Sequence, residues 1–534
     1  MNPHPPFDLQ AAARQSMLDH GFNPDFPADA LQQAASLAQQ PPAATAAGLQ
    51  DLRQLLWSSI DNDTSRDLDQ IEWAERLPGG PGRVLIGIAD VDAFVPQDSP
   101  IDRYAASETT TVYTGVHNYS MLPESLSTGA TSLLEDQDRV AFIIEFTVDK
   151  DGHVAGNKLY SALVRNRAQL AYDSVGAWLE GRGEAPPKVA ASADLQAQLK
   201  LQDELAQALR QARYRHGALN IETIETHPLL VAGQIVDVVN QQKNHATELI
   251  EDFMIAANQV VASSLEAARL SSLRRVVKTP KRWDRIVALA AQQGGSLPAT
   301  PDSAALNDFL NTRKAADPDH FADLSLAVVK LMGPGEYVVQ RPGDPPQGHF
   351  GLAVQDYTHS TAPNRRFADL LTQRLLKAAG ADRATTYSDD QLNAAAQNCT
   401  LKEDAARKVE REMQKRIAAV AMSSRIGQTF DAMVTGVNEH GTFVRTLQPH
   451  VEGMLVRGQQ GIDVGDRLRV TLVRADAQRG FIDFARADNG GLHGPNNQQG
   501  NQPGNQSGNQ PGSQPGKLPV SQPPSAPAGS RTPT

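Results

Sequence analysis

The chain is organised around one stretch, Ile60-Asp61-Asn62-Asp63-Thr64-Ser65-Arg66-Asp67-Leu68-Asp69-Gln70, which precedes a strand-like apolar run at 84–88. Carboxylates as crowded as these four raise one another's pKa unless a cation neutralises them. Hard divalent ions such as Mg²⁺, Mn²⁺ or Ca²⁺ take oxygen ligands of this kind. The stretch contains no Cys or His, which argues against zinc. It therefore predicts a divalent metal site.

The stretch alone leaves three kinds of site open. Counted from Asp61 to Glu72, its polar side chains nearly follow the spacing of an EF-hand calcium loop, and helical flanks are compatible with the sequence. Arg66, however, stands where that loop needs a glycine for its sharp turn. A catalytic metal site and a plain solvated acidic loop are the alternatives.

Composition restricts the class of protein. A chain of 534 residues should hold more than one domain. The net charge of −11 argues against bulk attraction to nucleic acid, although screening over about 10 Å leaves room for a local basic channel. Cys399 is the only cysteine, so no intramolecular disulfide forms, as expected in a reducing cytosol. The sequence shows no signal peptide and no apolar run near the roughly 20 residues of a membrane span. We expect a soluble, cytoplasmic protein without a membrane partner.

Composition also divides the chain into four parts. Residues 1–50 predict a small helical module, either a helix-turn-helix or a plain packing pair, followed by an alanine- and proline-rich linker at 40–47. Residues 51–422 alternate strands and helices. Residues 423–488 contain five short strands with glycine turns, typical of a small oligonucleotide-binding barrel. Residues 489–534 are low in apolar side chains and are predicted to be disordered.

Periodicity places the main elements. Amphipathic spacing predicts helices at 195–214, 248–270, 364–380 and 400–425. Alternation and turn residues predict strands at 83–94, 139–149 and 153–164, and barrel strands at 430–437, 441–445, 451–456, 467–474 and 480–485.

Several motifs then occur in one order along the chain. They are the aspartate stretch, Ile88-Ala89-Asp90-Val91, Tyr119-Ser120-Met121-Leu122-Pro123, Ala171-Tyr172-Asp173, Glu251-Asp252-Phe253-Met254-Ile255-Ala256-Ala257-Asn258, His359-Ser360-Thr361-Ala362-Pro363-Asn364-Arg365-Arg366-Phe367-Ala368-Asp369 and Gly441-Thr442-Phe443-Val444. Over about residues 55–487 the chain resembles the ribonuclease II/ribonuclease R (RNB) family of processive 3′→5′ exoribonucleases with a C-terminal S1 domain. The resemblance implies an α/β fold class: a mixed α+β RNB catalytic domain, a five-stranded S1 barrel of the OB type and a small N-terminal helical module.

The resemblance assigns the chemistry to the aspartates and one arginine. It implies Mg²⁺, with Mn²⁺ as the alternative ion, on Asp61, Asp67, Asp69 and the position of Gln70. It makes Asp67, Asp69 and Arg365 catalytic, with Asp69 the most rate-critical. A metal neutralises the phosphate in phosphodiester hydrolysis, and a guanidinium fork suits bidentate phosphate binding. The implied reaction releases nucleoside 5′-monophosphates.

The implied partner is single-stranded RNA that enters by its 3′ end into a monomeric protein. By resemblance, Tyr113 and Tyr172 stack on bases, and Glu251 bonds a ribose hydroxyl. Without the resemblance, each tyrosine is better explained as core, and Arg365 and Arg366 equally well as a solvated helix start. The full set of implied RNA-binding residues is Tyr113, Tyr172, Ile221, Glu251, Arg365, Arg366 and Phe443. In the barrel, Phe430 and Phe443 are candidate stacking residues or core residues.

Basic side chains gather on the predicted helix at 402–425. They are Lys402, Arg407, Lys408, Arg411, Lys415, Arg416 and Arg425, and three of them at i, i+4 and i+8 share a face. They predict either a solvated helix balanced by its acidic residues or a positive wall that guides RNA.

Three departures from the family pattern matter. Gln70 replaces a second consecutive aspartate and brings no charge. Either the site works with this neutral ligand and with help from Asp63, and holds one ion more weakly, or activity is lost and the protein is a catalytically impaired RNA-binding protein. Ile221 falls where ribonuclease II has a phenylalanine as one jaw of a stacking clamp. About 55 residues precede the aspartates, too few for the two cold-shock barrels usual there, so the helical module is expected to replace them or to pack on the catalytic domain.

Overall fold

A computed structural model describes residues 7–38, 49–222, 225–231, 234–241, 243–318, 320–381 and 387–487. The predicted linker at 40–47 and the predicted disordered tail at 489–534 lie outside these ranges. The helices within them are α1 Leu9–Asp19, α2 Ala28–Ala38, α3 Pro100–Glu108, α4 Tyr172–Leu179, α5 Pro187–Ala190, α6 Ala193–Arg215, α7 His245–Ala267, α8 Trp283–Gln292, α9 Ser303–Ala316, α10 Phe321–Met332, α11 Phe367–Gly380 and α12 Asp389–Ser423.

The strands form one large sheet, one barrel and three small ribbons. They are β1 Gln50–Asp51, β2 Trp57–Asp61, β3 Gln70–Arg76, β4 Gly82–Ala89, β5 Val112–Tyr113, β6 Asn118–Tyr119, β7 Asp138–Val148, β8 Val154–Ala171, β9 Glu225–Val231, β10 Gln234–Gln241, β11 Ser272–Val276, β12 Glu336–Gln340, β13 Thr429–Asn438, β14 Gly441–Thr446, β15 Glu452–Arg457, β16 Arg467–Asp476 and β17 Phe481–Arg486.

The large sheet closes on itself. Its strand order is β1-β8-β2-β3-β4-β7, and β7 also pairs with β8. The 18-residue β8 makes this closure, because its first part runs antiparallel to β7 and its end runs parallel to β2. The apolar run of β4 lies between β3 and β7, which explains why it is almost continuously buried. The strands and α7 share one core that includes Trp57, Ile86 and Phe253.

The aspartate stretch is the connection between two neighbouring strands of this sheet. β2 ends at Asp61 and β3 begins at Gln70. An EF-hand joins two helices through its calcium loop. Because both flanks here are strands, the calcium-loop interpretation is wrong.

Polar caps determine where two long helices begin. The side chain of Asn244 accepts the N–H groups of Ala246 and Thr247, and the side chain of Ser388 accepts that of Gln391. Such caps satisfy N–H groups that have no partner in the first turn. Both helices therefore begin before the predicted segments, and α12 extends back by about three turns.

The C-terminal strands form the predicted barrel. β13 to β17 close in the order β13-β14-β15-β17-β16, around a core that contains Phe430, Val444 and Phe484. Arg445 of β14 donates to both carboxylate oxygens of Asp323 in α10, at 2.7 and 2.9 Å. This barrel and the mixed sheet confirm the predicted fold class.

The helix α1 packs against α12, and α2 packs against α3. Met17 and Phe22 share an apolar cluster with Val112 of β5 and Met413 of α12. At the end of α1, Nε2 of His20 lies 2.9 Å from Oε1 of Glu412 in α12. Both predicted arrangements, a helix-turn-helix and a plain packing pair, are compatible with these contacts.

Three further helices form a smaller lobe that the sequence did not predict. α8, α9 and α10 share their own apolar cluster, with Trp283, Leu306 and Phe321 at its centre. Within the described ranges, no helix combines the length and the apolar character that crossing a bilayer requires.

Candidate active site

Backbone contacts hold the aspartate loop against the segment that precedes β7. Leu68 is buried; its N–H donates to Ser132 Oγ at 2.9 Å, and its carbonyl accepts from the N–H of Leu133 at 3.0 Å. The hydroxyl of Ser132 in turn donates to the carbonyl of Arg66 at 2.6 Å. Leu68 therefore anchors the loop between the two aspartates that flank it.

Asp69 connects this loop to a distant motif. Its side chain is only 2% exposed, and its Oδ1 accepts from the backbone N–H of Asn364 at 2.9 Å. Its Oδ2 accepts from Nε of Arg365 at 3.2 Å. Burial raises the pKa of Asp69 to about 7, although Arg365 and the Asn364 hydrogen bond act to lower it. The proposed carboxylate and the proposed phosphate-binding arginine are thus in direct contact.

The other aspartates of the stretch differ in their surroundings. Asp61 accepts from the hydroxyl of Ser65 at 3.0 Å, whereas Asp63 is exposed. Burial, and to a smaller extent the charge of Asp61, raises the pKa of Asp67. The charge of Asp67 in turn acts to raise the pKa of Asp69. Asp63 stands apart on the surface.

Gln70 opens β3 opposite Ile88 and is 7% exposed. Two residues further along the same strand, Glu72 is fully buried. Burial and the charge of Asp61 raise the pKa of Glu72 well above its ordinary value. From the sequence alone, Glu72 has no assigned role outside the calcium-loop spacing. Glu72 lies two residues after Gln70 on the same strand, so the two side chains share a face. This alternation is the sequence pattern that could have identified Glu72.

One backbone bridge positions Arg365 and Tyr113 together. Thr110 and Arg366 form an isolated antiparallel bridge, and the N–H of Thr111 donates to the carbonyl of Arg365 at 3.0 Å. Two residues after Thr111, Tyr113 directs its hydroxyl to Oδ2 of Asp67 at 3.5 Å. The bridge thereby fixes an aromatic ring and a guanidinium beside the aspartate loop.

Arg365, Arg366 and Tyr113 line a cavity of about 200 Å³ next to this bridge. The side chain of Arg365 is 43% exposed, and Tyr113 is 39% exposed. Arg366 is held by Asp369, whose Oδ1 accepts from it at 2.8 Å. Half-buried His359 also lines the cavity, and desolvation together with the charge of Arg366 lowers its pKa well below the ordinary value. The cavity therefore presents cationic and aromatic groups beside the carboxylates.

The other implied RNA-binding residues lie in different parts of the fold. Tyr172 begins α4, and the charges of Asp61 and Glu72 act on its hydroxyl. Exposed Glu251 accepts from Lys243 Nζ at 2.7 Å. Ile221 packs against the apolar cluster of the α8–α10 lobe. The structure thus brings Tyr172 to the aspartates, gives Glu251 a lysine partner and places Ile221 on the lobe.

Two of the basic side chains on α12 have partners that the structure describes. Lys402 Nζ donates to the carbonyl of Gly21 at 2.8 Å, and Arg407 forms an ion pair with Glu403. For this part of α12, these contacts favour the interpretation as a solvated helix whose basic side chains are balanced by acidic ones. In the barrel, Phe430 is a core residue that meets Phe484 edge to face, whereas Phe443 is half-buried.

A compact group of potential metal ligands occurs elsewhere in the described part of the chain. Asp149, Asp151 and His153 lie in the turn between β7 and β8, with ligand atoms within 4.8 Å of one another. Hydrogen bonds within the turn explain it, because Asp149 Oδ1 accepts from the N–H groups of both other residues. This group is separate from the aspartate loop.

Comparison with known families agrees with the motif order. The family model described as the RNB domain matches residues 49–382, which is more than half of the chain. The chain belongs to the RNB family. The model described as the RNase II-type exonuclease C-terminal S1 domain matches residues 428–487, the barrel of this RNB protein.

Individual relatives place the chain within the family. It is 31% identical to ribonuclease R of Vibrio cholerae over 473 residues, which is 85% of this chain and 56% of that protein. Ribonuclease R of Mycoplasma genitalium, solved in complex with ribose-methylated single-stranded RNA, has a TM-score of 0.78 at 24% identity and covers 90% of this chain and 78% of that one. Yeast Ssd1, described as a pseudonuclease, has a TM-score of 0.66 at 17% identity, over 84% and 56% of the two chains. The chain thus spans a little over half the length of the curated ribonuclease R relative.

Proposed function

We propose that this protein is a divalent-metal-dependent exoribonuclease that degrades single-stranded RNA processively from its 3′ end and releases nucleoside 5′-monophosphates. Membership of the RNB family supports the reaction class. The observation that carries the proposal is the direct contact of buried Asp69 with Arg365 and with the backbone of Asn364. That contact joins a carboxylate of the aspartate loop to a group suited to phosphate.

The donor set fits a hard cation. Asp61, Asp67 and Asp69 offer carboxylate oxygens, and Gln70 offers an amide oxygen, which are ligands that Mg²⁺ and Mn²⁺ accept. The mutual repulsion of these carboxylates in a partly buried loop is the condition that a bound cation relieves. When bound, the ion neutralises the phosphate and lowers the pKa of water beside it.

Arg365 binds the scissile phosphate in this mechanism. Asp69 engages its Nε, which orients the guanidinium, while the side chain keeps 43% of its surface exposed toward the cavity. A fixed guanidinium stabilises negative charge that grows on the phosphoryl oxygens without reorganising during the reaction. Asp69 therefore acts both as a ligand and as the group that positions Arg365.

The terminal nucleotides bind next to this centre. Tyr113 and Tyr172 provide faces for base stacking, and such stacking accepts any sequence. Arg366 adds a positive charge beside Arg365, and Glu251 bonds a ribose hydroxyl that DNA lacks. Ile221 and half-buried Phe443 contact the strand further from the cut.

The chain then has a catalytic domain at residues 51–422 and an S1 domain at residues 423–488. The helical module within residues 1–50 precedes them, and the tail predicted at residues 489–534 lies outside the described residues. The protein acts as a monomer on one threaded strand.

An end-labelling experiment tests the proposed reaction. A single-stranded RNA labelled at either end is incubated with the protein and Mg²⁺, and a duplex with a 3′ overhang is run beside it. The 5′ label should pass from full-length RNA to a short end product with few intermediates, while the 3′ label appears at once in a mononucleotide. Omission of the metal should stop both. Products that shorten from the 5′ end, or no products from folded protein, would contradict the proposal.

Gln70 supports a second candidate function. A neutral ligand in place of an aspartate weakens the metal site, and an RNB protein without cleavage would act by binding RNA alone. RNA binding without metal-dependent mononucleotide release in the same assay would favour this candidate.

A further inference from the structure

Two segments from distant parts of the chain both bond to the aspartate loop. The support segment, residues 131–133, precedes β7, and the arginine segment, residues 364–365, precedes α11. Asp69 bonds to the arginine segment at both carboxylate oxygens, which accept from the N–H of Asn364 at 2.9 Å and from Nε of Arg365 at 3.2 Å. The position of the arginine segment relative to the loop therefore decides how the carboxylate meets the guanidinium.

The support segment holds the residue just before Asp69. Leu68 bonds to it twice, through its N–H to Ser132 Oγ at 2.9 Å and through its carbonyl to the N–H of Leu133 at 3.0 Å. Arg139 braces the segment in turn, because it donates to the carbonyls of Ser132 at 3.0 Å and Gly129 at 3.1 Å. The loop is therefore bonded to a segment that has its own fixed contacts.

One side-chain contact links the support segment to the arginine segment. The hydroxyl of Thr131 donates to Oδ1 of Asn364 at 2.6 Å, and the two residues are only 2% and 1% exposed. Nδ2 of Asn364 is also buried and has no hydrogen-bond partner among the described residues. Thr131 thus makes the one hydrogen bond that holds this amide within the described part of the chain. Without it the whole amide would be a buried polar group without a partner, which is a costly arrangement.

Asn364 transmits this contact to the catalytic carboxylate. Its side chain is held by Thr131, while its backbone N–H holds Asp69. The aspartate loop, the support segment and the arginine segment therefore form a closed triangle of hydrogen bonds, in which each side restricts the movement of the other two. The hydroxyl of Thr131 is itself fixed, because it lies 2.7 Å from the carbonyl of Leu126, a second acceptor for its single proton.

We propose that Thr131 and Asn364 are positioning residues, whose side-chain contact fixes the N–H of Asn364 against Asp69 and thereby sets how Asp69 meets Arg365. The proposal rests on the exoribonuclease function given above and adds two residues that act through Asp69 and Arg365. A misplacement of about 1 Å at the reacting groups costs on the order of a hundredfold in rate, so a contact one step away from the chemistry is sufficient to control it.

Single-turnover cleavage and RNA affinity of the full-length protein test this role. RNA affinity is measured by anisotropy with the metal omitted. The variants are Thr131→Val, Asn364→Leu and the double variant, which replace the polar partners by apolar side chains of similar shape, and Thr131→Ser, which keeps the hydroxyl. Thr128→Val is the matched control, because the hydroxyl of Thr128 donates to the carbonyl of Glu124 at 2.8 Å and takes no part in the triangle.

We expect Thr131→Val and Asn364→Leu each to slow cleavage by about ten- to a hundredfold, with RNA affinity within about threefold of wild type. The double variant should be about as slow as the slower single variant, because both side chains act through one contact. It should also melt close to the wild-type temperature, since replacing both partners of a buried hydrogen bond by apolar groups is nearly neutral. Thr131→Ser and Thr128→Val should cleave at close to the wild-type rate.

Hydrogen exchange measures the same contact without cleavage. On a peptide that contains Asn364, its N–H should exchange at least about tenfold faster in Thr131→Val than in wild type, because the bond to Asp69 opens more often. Thr128→Val should leave this exchange unchanged. Unaltered exchange in Thr131→Val would overturn the proposal.

The kinetic results decide between positioning and a purely structural role. Cleavage at the wild-type rate in Thr131→Val would overturn the proposal, and so would an equally slow Thr131→Ser or a loss of rate matched by a loss of RNA affinity. Should a single variant not fold, the double variant, which leaves no partner alone, takes its place. A wild type that binds RNA without cutting it would remove the proposed reaction, whereas faster exchange at Asn364 in Thr131→Val would still support the positioning contact.

Discussion

Asp69 illustrates how a single residue joins two motifs that are far apart in the sequence. Its two oxygens are engaged by Asn364 and Arg365, from a segment that lies close to 300 positions later in the chain. A carboxylate held on both sides has a fixed orientation, and catalytic groups act most effectively when fixed in advance. The contact also explains why the Asn364-Arg365 pair belongs to the site although it lies beyond the aspartate loop.

The ring of Tyr113 is expected to contribute to RNA binding. If its ring stacks on a base near the 3′ end, Tyr113→Ala should weaken the binding of a single-stranded oligonucleotide by about 1–3 kcal/mol, or roughly 5- to 150-fold. Tyr113→Phe keeps the ring and removes only the long contact with Asp67, 3.5 Å from the hydroxyl. It should bind within about threefold of wild type by fluorescence anisotropy. Equal losses in both variants would show that the hydroxyl, not the ring, contacts RNA.

Individual residues of the site were predictable from the sequence to different degrees. The three aspartates and Arg365 could be identified because chemistry-bearing side chains stand in a recognisable order. The full burial of Glu72 could not be predicted, because it depends on how β3 pairs with β2 and β4, which a sequence does not display. The contact between Asp69 and Asn364 likewise arises from tertiary structure.

Among the elements, those with strong local patterns were predicted well. The five barrel strands agree with the prediction to within about two residues at each end, because alternation and glycine turns are local signals. The closure of the large sheet was not predictable in this way. It depends on the pairing of β2 with the end of β8, whose residues lie more than 100 positions apart. β8 is 18 residues long because different parts of it pair with β7, β1 and β2.

Two histidines, His349 and His359, have lowered pKa values, and we therefore expect the folded protein to lose stability in acid. Burial, followed by the charge of Arg275, lowers the pKa of His349 to about 4, and burial also lowers the pKa of His359. An unfolded histidine titrates near 6.5, so below that pH the unfolded chain binds protons that the native protein excludes. The stability contributed by His349 is therefore complete above about pH 6.5 and is lost as the pH falls toward 4, by up to about 3 kcal/mol.

A variant isolates this contribution from the buried carboxyls, whose raised pKa values act in the opposite direction. In the 3₁₀ turn Phe350–Leu352, His349 accepts the N–H of Leu352 at 3.2 Å, and His349→Asn keeps an acceptor that does not titrate. Between pH 7 and 5, urea unfolding should show a smaller loss of stability for His349→Asn than for wild type. His153→Asn, at an exposed position, is the control. Identical pH profiles for wild type and His349→Asn would refute the assignment.

At the scale of the whole molecule, the barrel contacts the helical lobe through an ion pair. Arg445 and Asp323 form a two-point contact, and their side chains are 14% and 22% exposed. A partly buried pair with this geometry should couple the barrel to α10, since removing one partner leaves the other charge unpaired.

A double-mutant cycle measures this coupling. Asp323→Ala should lower the free energy of unfolding by about 1–3 kcal/mol, and the double variant with Arg445→Ala should lose clearly less than the sum of the single variants. The exposed pair of Arg407 with Asp404, 3.8 Å apart, serves as the comparison and should show almost no coupling. Additive losses at Arg445 and Asp323 would mean that this pair does not hold the barrel to the lobe.

The most direct measurement compares the RNA cleavage rate and the RNA affinity of Asp69→Asn with those of the wild type. Asp69→Asn removes one charge and one acceptor from the buried contact with Asn364 and Arg365 while leaving Tyr113, Tyr172 and the barrel unchanged. Single-turnover cleavage of a 5′-labelled RNA should fall by at least about a hundredfold. Anisotropy should find RNA affinity within about threefold of wild type, because the stacking groups are retained. Cleavage at the wild-type rate in the folded variant would contradict the assignment of the aspartate loop as the catalytic centre.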